Sequence, residues 1–352
     1  MLGCCNRHTA SAYKGNILSG DFTRMMCVSL VHRCSIQKGH ITLQKGAGYV
    51  GRYIVKRVLL AIMTVLIVCC LTFFLMHAVP GGPFNSEKAL SEATIKALNE
   101  RYNLDKPVFT QFLMYIKGLL HGDMGVSLKT GRSITDIIAE SFPISAKLGL
   151  MAMGVALVVG VVCGSTAALM RNKLPDRVII FLSTLFTAVP SFVLATMLLL
   201  VFCIMLGWFP VWSPNDPSYV LPVLSLAAYP TAYITRLSKT SMLDALGQDY
   251  IRTARAKGVP RLKVIFKHAL RNSMIPVITY CGPQIAYIIT GSMVVETIFT
   301  TGGLGSKFVT SINNRDYTQI MAVTIFLATL MVIANLICDL VYKLVDPRIK
   351  YD

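Results

Sequence analysis

Long apolar stretches alternate with polar segments along most of this chain, and the stretches have the length of membrane-spanning helices. A bilayer core needs about 20 mostly apolar residues per helix. From residue 50 onward the pattern predicts six transmembrane helices. They span Val58–Val79, Leu148–Met170, Val178–Leu206, Val220 to about Leu237, Pro276–Val295 and Ile320–Leu344.

The third apolar run is too long for one straight span, and Pro190 lies inside it. A proline within a helix removes a backbone hydrogen bond and bends the helix. The run therefore predicts one kinked helix, with a membrane core of roughly Ala188 to Gly207.

Composition supports a membrane protein and excludes a soluble one. Hydrophobic residues make up 54% of the chain, charged residues 14%, and the mean hydropathy is +0.60. Soluble domains carry about 25% charged residues. The net charge of +17 would suggest nucleic acid binding in a soluble protein. Here the predicted spans separate the basic residues, so we expect no nucleic acid partner.

The distribution of charge predicts the orientation in the membrane. Residues 238–275 contain eight Lys or Arg and two Asp, whereas residues 80–143 contain seven basic and seven acidic residues. Because cytoplasmic loops are enriched in Lys and Arg, both termini and the 238–275 loop are predicted to be cytoplasmic. The predicted organisation is then a first helix over 50–79, an external region over 80–143, a core of five helices over 144–345 and a cytoplasmic tail over 346–352.

Residues 1–49 differ from the rest, because they have no sustained apolar period and contain one acidic residue. They do not form a signal peptide, which would need an apolar core of 7–15 residues. We expect a poorly ordered extension. Because Val50 can be encoded by an alternative bacterial start codon, we also hypothesise that the native protein begins there.

Catalytic and metal-binding patterns are missing from the sequence. It contains no HExxH and no GxSxG, and the cysteines have no metal-ligand spacing. Gly302–Lys307 fails the spacing of a phosphate-binding loop, because no Gly precedes Lys307 and Phe308 follows it. We therefore predict a protein that is not an enzyme and binds no cofactor or metal itself.

The most informative segment of the 238–275 loop is Asp249–Pro260. Small residues alternate there with long basic ones, Gly258 permits a tight turn, and Pro260 can begin another short helix. Small residues would let another protein's backbone approach closely, while the basic residues could reach its carboxylates. A solvated basic loop at lipid headgroups explains the same pattern equally well.

In this segment the sequence resembles the permeases of binding-protein-dependent ABC importers, specifically the dipeptide and oligopeptide branch. The resemblance covers about Val50–Asp352 and departs from the wider family's Glu-Ala-Ala at Arg252-Thr253-Ala254, and from a common Pro-Gly at Thr301-Gly302. The supporting motifs are Tyr250–Gly258, His268–Asn272, Met274–Pro276, Gly51–Ile54, Pro80–Phe84, Gly122–Ser127, Val189–Phe192, Gly207–Pro210, Glu296–Phe299 and Asp346–Arg348.

The resemblance implies an all-α integral membrane protein with the type I importer permease (MetI-like) fold, in the bacterial cell membrane. It implies four partner proteins: a second permease, two cytoplasmic ATPases that bind ATP and Mg, and an external peptide-binding protein. The residues that it assigns to ATPase coupling are Asp249, Tyr250, Arg252, Thr253, Ala254, Arg255, Ala256, Lys257 and Gly258. It also implies breaks in the spans at Pro190, Pro222, Pro230, Pro276 and Pro283.

Polar residues within the later spans are candidates for lining a translocation path. Gln284, Tyr287 and Thr290 follow i, i+3, i+6 spacing and could share one helix face. Hydrogen bonding between packed helices is the alternative role. The full candidate set is Tyr280, Gln284, Tyr287, Thr290 and Asn335.

The sequence leaves three alternative functions to consider. The same machinery could import nickel or another small solute. An autonomous carrier or channel would be expected to show buried charges and an inverted repeat, and it leaves Tyr250–Gly258 unexplained. A membrane enzyme lacks a catalytic constellation.

Overall fold

The computed structural model describes the backbone of residues 46–78 and 105–345, and the side chains of residues 55–78 and 105–338. All regular elements in these ranges are helical, apart from an isolated β-bridge between Val126 and Ser133. The helices are α1 (Gly46–Ala78), α2 (Val108–Leu120), α3 (Ile134–Leu169), α4 (Leu174–Ala188), α5 (Ser191–Leu198), α6 (Val220–Leu246), α7 (Asp249–Ala256), α8 (Arg261–Lys263), α9 (Arg271–Ile289), α10 (Met293–Ile298), α11 (Leu304–Asn313) and α12 (Tyr317–Val345). Two π-helical segments, π1 (Leu199–Met205) and π2 (Val264–Leu270), follow α5 and α8.

This set of helices confirms the all-α class that the sequence predicted. Most of the predicted extension (residues 1–45), part of the predicted external region (residues 79–104) and the predicted tail (residues 346–352) lie outside the described residues. The start-site hypothesis and these boundaries therefore stay predictions.

Four described helices are long and apolar enough to cross a membrane, and a bent helix pair could supply a fifth span. The four are Val55–Ala78, Ile134–Leu169, Arg261–Ile298 and Tyr317–Cys338. The predicted fourth span falls in α6, which carries Arg236, Lys239 and Asp244 and is not among them. The count of six spans and the placement of the termini stay predictions.

The bent pair corrects the single kinked helix that was expected around Pro190. Helix α4 ends at Ala188, α5 begins at Ser191, and the two meet at 102°. Val189 is extended, with φ −79° and ψ 124°. A residue before proline is pushed out of the helical region by the proline ring. The chain therefore breaks completely here.

Breaks were also expected at the other prolines, but the structure contradicts this: their helices are continuous. Helix α6 continues through Pro230, and α9 continues through Pro276 and Pro283. Pro222 lies in the first turn of α6, where its missing N–H leaves no hydrogen bond unmade. The second predicted span also begins earlier than Leu148, because α3 starts at Ile134 and contains Pro143.

The chain divides into two compact units, of which the first ends at Leu60 and the second begins at Ala61. The second unit is built on the packing of α3 against α6 and α9. Its largest buried cluster includes Leu148 and Ala156 of α3, Ile234 of α6 and Val277 of α9.

Glycines bring α3 and α6 unusually close together. A Cβ atom on Gly160 would lie 2.7 Å from Ile234 Cγ2, and one on Gly164 would lie 2.6 Å from Ser238 Cβ. Such distances leave no room for a side chain. Gly160 and Gly164 are four residues apart in an apolar helix, which is the spacing of close helix pairs in membranes.

Candidate functional site

Helix α7 contains most of the predicted coupling residues and lies between α6 and α8. Gln248 is extended, with φ −76° and ψ 153°, and Asp249 lies in the first helical turn. A carboxylate in the first turn interacts favourably with the positive end of the helix dipole. The sequence thus forms a separate short helix soon after α6 ends.

Gly258 ends α7 in a left-handed conformation, with φ +74°. The Gly258 N–H donates to the Arg255 carbonyl at 3.0 Å, and the Val259 N–H donates to the Ala254 carbonyl at 3.2 Å. These two bonds form a Schellman motif, which needs a left-handed residue and favours glycine there. Gly258 therefore sets the direction in which the chain leaves α7.

Two residues of α7 pack against the rest of the protein. Ile251 is fully buried, and Ala254 is 7% exposed. They belong to a cluster with Met242 of α6, Val264 of π2 and Ala168 of α3. Helix α7 is thus packed on the helices of its own chain.

The remaining predicted coupling residues are exposed, and they form the coupling face. Its members are Asp249, Tyr250, Arg252, Thr253, Arg255, Ala256, Lys257 and Gly258. Ala254 was predicted to admit a partner's backbone, but its burial within this chain leaves it unable to do so. Ile251 was missed; its place between polar residues, three positions before Ala254, was the available signal.

A second feature is a cavity of about 1070 Å³ whose lining residues are all uncharged. Its wall includes the break between α4 and α5, from Thr187 to Ser191, together with residues of α6, α9 and α12. Gln284, Tyr287 and Thr290, which from their spacing in the sequence could share one helix face, all contribute to it. The Thr290 hydroxyl also donates to the Tyr287 carbonyl at 2.6 Å.

The two other path candidates are not among the residues that line this cavity. Tyr280 stacks on Tyr233 of α6, with ring centroids 4.3 Å apart. Asn335 is exposed on α12. The structure therefore brings three of the five candidates together, and their role in transport stays a prediction.

A buried carboxyl group lies beside the cavity. Glu296 of α10 is 2% exposed, and its Oε2 accepts from the Gly305 N–H at 2.8 Å and the Ser306 N–H at 3.2 Å. The Ser145 hydroxyl hydrogen-bonds the same carboxyl group and accepts from the Leu304 N–H at 2.8 Å. Glu296 and Ser145 thus satisfy the otherwise unpaired N–H groups at the start of α11.

No group of three or more His, Cys, Asp or Glu residues within the described part of the chain could hold a metal ion. Cys69, Cys70, Cys163, Cys203 and Cys281 form no disulfide bond.

Comparison with known proteins gives two family matches, which together cover most of the chain. Residues 160–351 match the family described as binding-protein-dependent transport system inner membrane component, and residues 50–149 match the N-terminal part of that family. A crystal structure of an amino acid ABC transporter with histidines covers 59% of this chain and 94% of its own, at 14% identity and a TM-score of 0.49.

Three curated proteins are similar over nearly their full length. The dipeptide transport system permease protein DppB of Bacillus subtilis is 44% identical, over 85% of this chain and 98% of its own. The oligopeptide transport system permease proteins OppB of Haemophilus influenzae and Escherichia coli K12 are 42% and 40% identical, each over 85% of this chain and 99% of its own.

Proposed function

The chain belongs to the binding-protein-dependent transport system inner membrane components, and from this premise we propose how it works as the permease subunit of a peptide importer. The observation that carries the peptide assignment is the identity of 40–44% to dipeptide and oligopeptide permeases over almost their whole length. This identity and the apolar helices together indicate a multi-pass cell membrane permease for peptides.

The proposed partners follow from the family's description and from the chain's own chemistry. Transport in this family depends on a binding protein, which would deliver the peptide to the outer face. Because the sequence has no phosphate-binding loop, we assign ATP and Mg to two separate ATPase subunits. A second, similar permease would complete the path.

The proposed contact with an ATPase subunit is the coupling face of α7. Tyr250 is 39% exposed, and Arg252, Arg255 and Lys257 present positive charge beside it. Since Ile251 and Ala254 pack on α6 and π2, a push on α7 would be transmitted directly to those helices. Rigid-body movement of helices around a fixed site is the usual form of alternating access.

The proposed path for the peptide is the uncharged cavity. Its hydroxyl, amide and aromatic groups can contact a peptide backbone without selecting side chains by charge, which suits a transporter of varied peptides. Gln284, Tyr287 and Thr290 would line its α9 side. The break at Val189-Pro190 supplies a part of the wall that is free to move relative to α4.

Uptake by cells tests the function. A strain that lacks the gene should lose import of a radiolabelled tripeptide, and the intact gene should restore it. The same strains are tested with radiolabelled nickel. Loss of nickel uptake with unchanged peptide uptake would replace peptide by metal as the cargo.

Gly258 supplies a sharper test of the coupling face. We expect Gly258→Val to lower peptide import about tenfold, since a left-handed conformation costs roughly 1–2 kcal/mol for ordinary residues and more for β-branched ones. No atom lies within 4 Å of where its Cβ would be, so the protein should still insert and accumulate normally. Import and membrane level are measured together.

The matched control is Gly258→Asn, because asparagine tolerates the left-handed conformation. It should import peptide at close to the wild-type rate. Wild-type import by the Val variant would show that the geometry of this turn does not matter for coupling.

A further inference from the structure

A largely buried ion pair joins the cytoplasmic ends predicted for two helices, and neither residue has a part in the mechanism above. The Asp176 carboxylate of α4 contacts the Lys239 ammonium of α6, and its other oxygen accepts from the Asn172 N–H at 2.9 Å. The side chains are 7% and 21% exposed. Two other described ion pairs, Arg132–Glu140 and Arg252–Asp249, are exposed.

The two helices that the pair joins have different connections. Helix α6 leads through Gly247 and Gln248 into α7, which carries the coupling face. Helix α4 runs from the pair to Ala188, where the chain breaks and lines the cavity. At 1.5 Å per residue, the pair lies about 18 Å along α4 from this break. It therefore stands between the coupling face and the cavity wall.

Helix α4 packs against α6 and α3 along its length, but it has few buried side chains of its own. Asp176 and Ser183 are its buried residues, and the Ser183 hydroxyl donates within α4, to the Ile179 carbonyl at 2.8 Å. Most of its large apolar side chains, including Phe181 and Leu185, are exposed. The Asp176–Lys239 contact is thus a specific polar link between α4 and α6.

We propose that Asp176 and Lys239 are positioning residues that make α4 move with α6, so that a displacement of α7 reaches the break at Val189-Pro190. This rests on the proposed function of α7 and adds a route from it to the cavity. A rigid helix that is fixed at its first turn by an ion pair transmits movement to its other end, whereas packing contacts alone allow it to slide on its neighbour.

A purely stabilising role predicts something different, and the difference can be measured. Removing one partner of a buried pair leaves an unpaired charge and is destabilising, but replacing both partners by uncharged residues is often tolerated. If the pair only stabilises the fold, the double replacement should restore transport. If it transmits movement, the double replacement should restore stability alone.

The experiment uses the complete importer in proteoliposomes, with Asp176→Asn, Lys239→Met and the double variant. Peptide imported per ATP hydrolysed is the principal readout, with melting temperature and ATP hydrolysis alongside. We expect the double variant to melt close to the wild type and to hydrolyse ATP within about twofold of it. Its peptide import per ATP should fall about tenfold, the scale of a 1.4 kcal/mol loss of coupling.

Two further variants complete the design. Glu140→Gln removes the exposed pair with Arg132 and should leave all three readouts unchanged. The exchange Asp176→Lys with Lys239→Asp re-creates the pair, should recover most of the coupling, and decides the matter if the double variant does not accumulate.

Wild-type import per ATP by the double variant would overturn the inference, and so would an uncoupled exchange variant that is stably folded. Neither result touches the proposed function. That function fails separately, if the wild-type complex imports no peptide on addition of ATP.

Discussion

Gly164→Ala is expected to destabilise the protein by about 3 kcal/mol or more, which is at the upper end of what one added methyl group does in a packed core. The new Cβ would lie 2.6 Å from Ser238 Cβ and 3.1 Å from the Lys239 backbone nitrogen. Backbone atoms of a long helix cannot shift individually, so α3 and α6 would have to separate. Since this contact is central to the second unit, we expect both melting temperature and membrane level to fall.

Gly154 provides the matched control in the same helix. A Cβ there meets no atom within 4 Å, and alanine is a better helix former than glycine. Gly154→Ala should therefore melt at or slightly above the wild-type temperature. Equal melting temperatures for the Gly154 and Gly164 variants would contradict the close packing of α3 on α6.

The second large effect is expected for Glu296→Ala, at about 3–5 kcal/mol, because it leaves several buried N–H and O–H donors without their acceptor. The groups that lose it are the Gly305 N–H, the Ser306 N–H and the Ser145 hydroxyl. Because Gly291 and Ser292, just before α10, line the cavity, peptide import should fall together with stability. Thermal melting of the purified protein and import by cells measure the two.

Glu296→Gln separates the effect of the negative charge from that of the hydrogen bonds and the side-chain volume, because it removes the charge alone. Its amide oxygen can still accept from Gly305 and Ser306, so it should lose much less stability than the Ala variant. Glu140→Ala is the control for removing an exposed carboxylate, and it should change little. An Ala variant at position 296 that is as stable as the wild type would refute the role assigned to this carboxyl group.

Much of the functional segment could be predicted from sequence, because its signals are local. Gly258 next to a run of small and basic residues predicts a helix end, and the structure places a left-handed glycine there. The i, i+3, i+6 spacing of Gln284, Tyr287 and Thr290 likewise predicts a shared face, and all three line one cavity.

Other features depend on which helices become neighbours, and sequence patterns within one helix do not contain that information. From the sequence, Lys239 was counted with the basic residues of a loop. In the structure α6 extends to Leu246, so Lys239 is a helical residue, and it contacts Asp176 of α4. In the sequence Glu296 is a charge at the end of an apolar run and part of a family motif, and neither signal names its partners. Its partners come from α3 and from the start of α11.

The close packing of α3 on α6 has a signal in the sequence. Gly160 and Gly164 have the spacing of close-packed membrane helices, and they contact α6 directly. The breaks expected at Pro230 and Pro276 show the opposite case. There the helices continue, because neighbouring groups in a membrane protein can compensate for the hydrogen bond that proline removes.

The most direct test of the account is gentle purification of the tagged chain from its native host, followed by mass spectrometry of the proteins that accompany it. The account predicts a second, related permease and two ATPase subunits, which a Gly258→Val variant should retain if its defect is in coupling rather than assembly. Recovery of the chain alone, with no ATPase even after crosslinking, would contradict coupling through the coupling face.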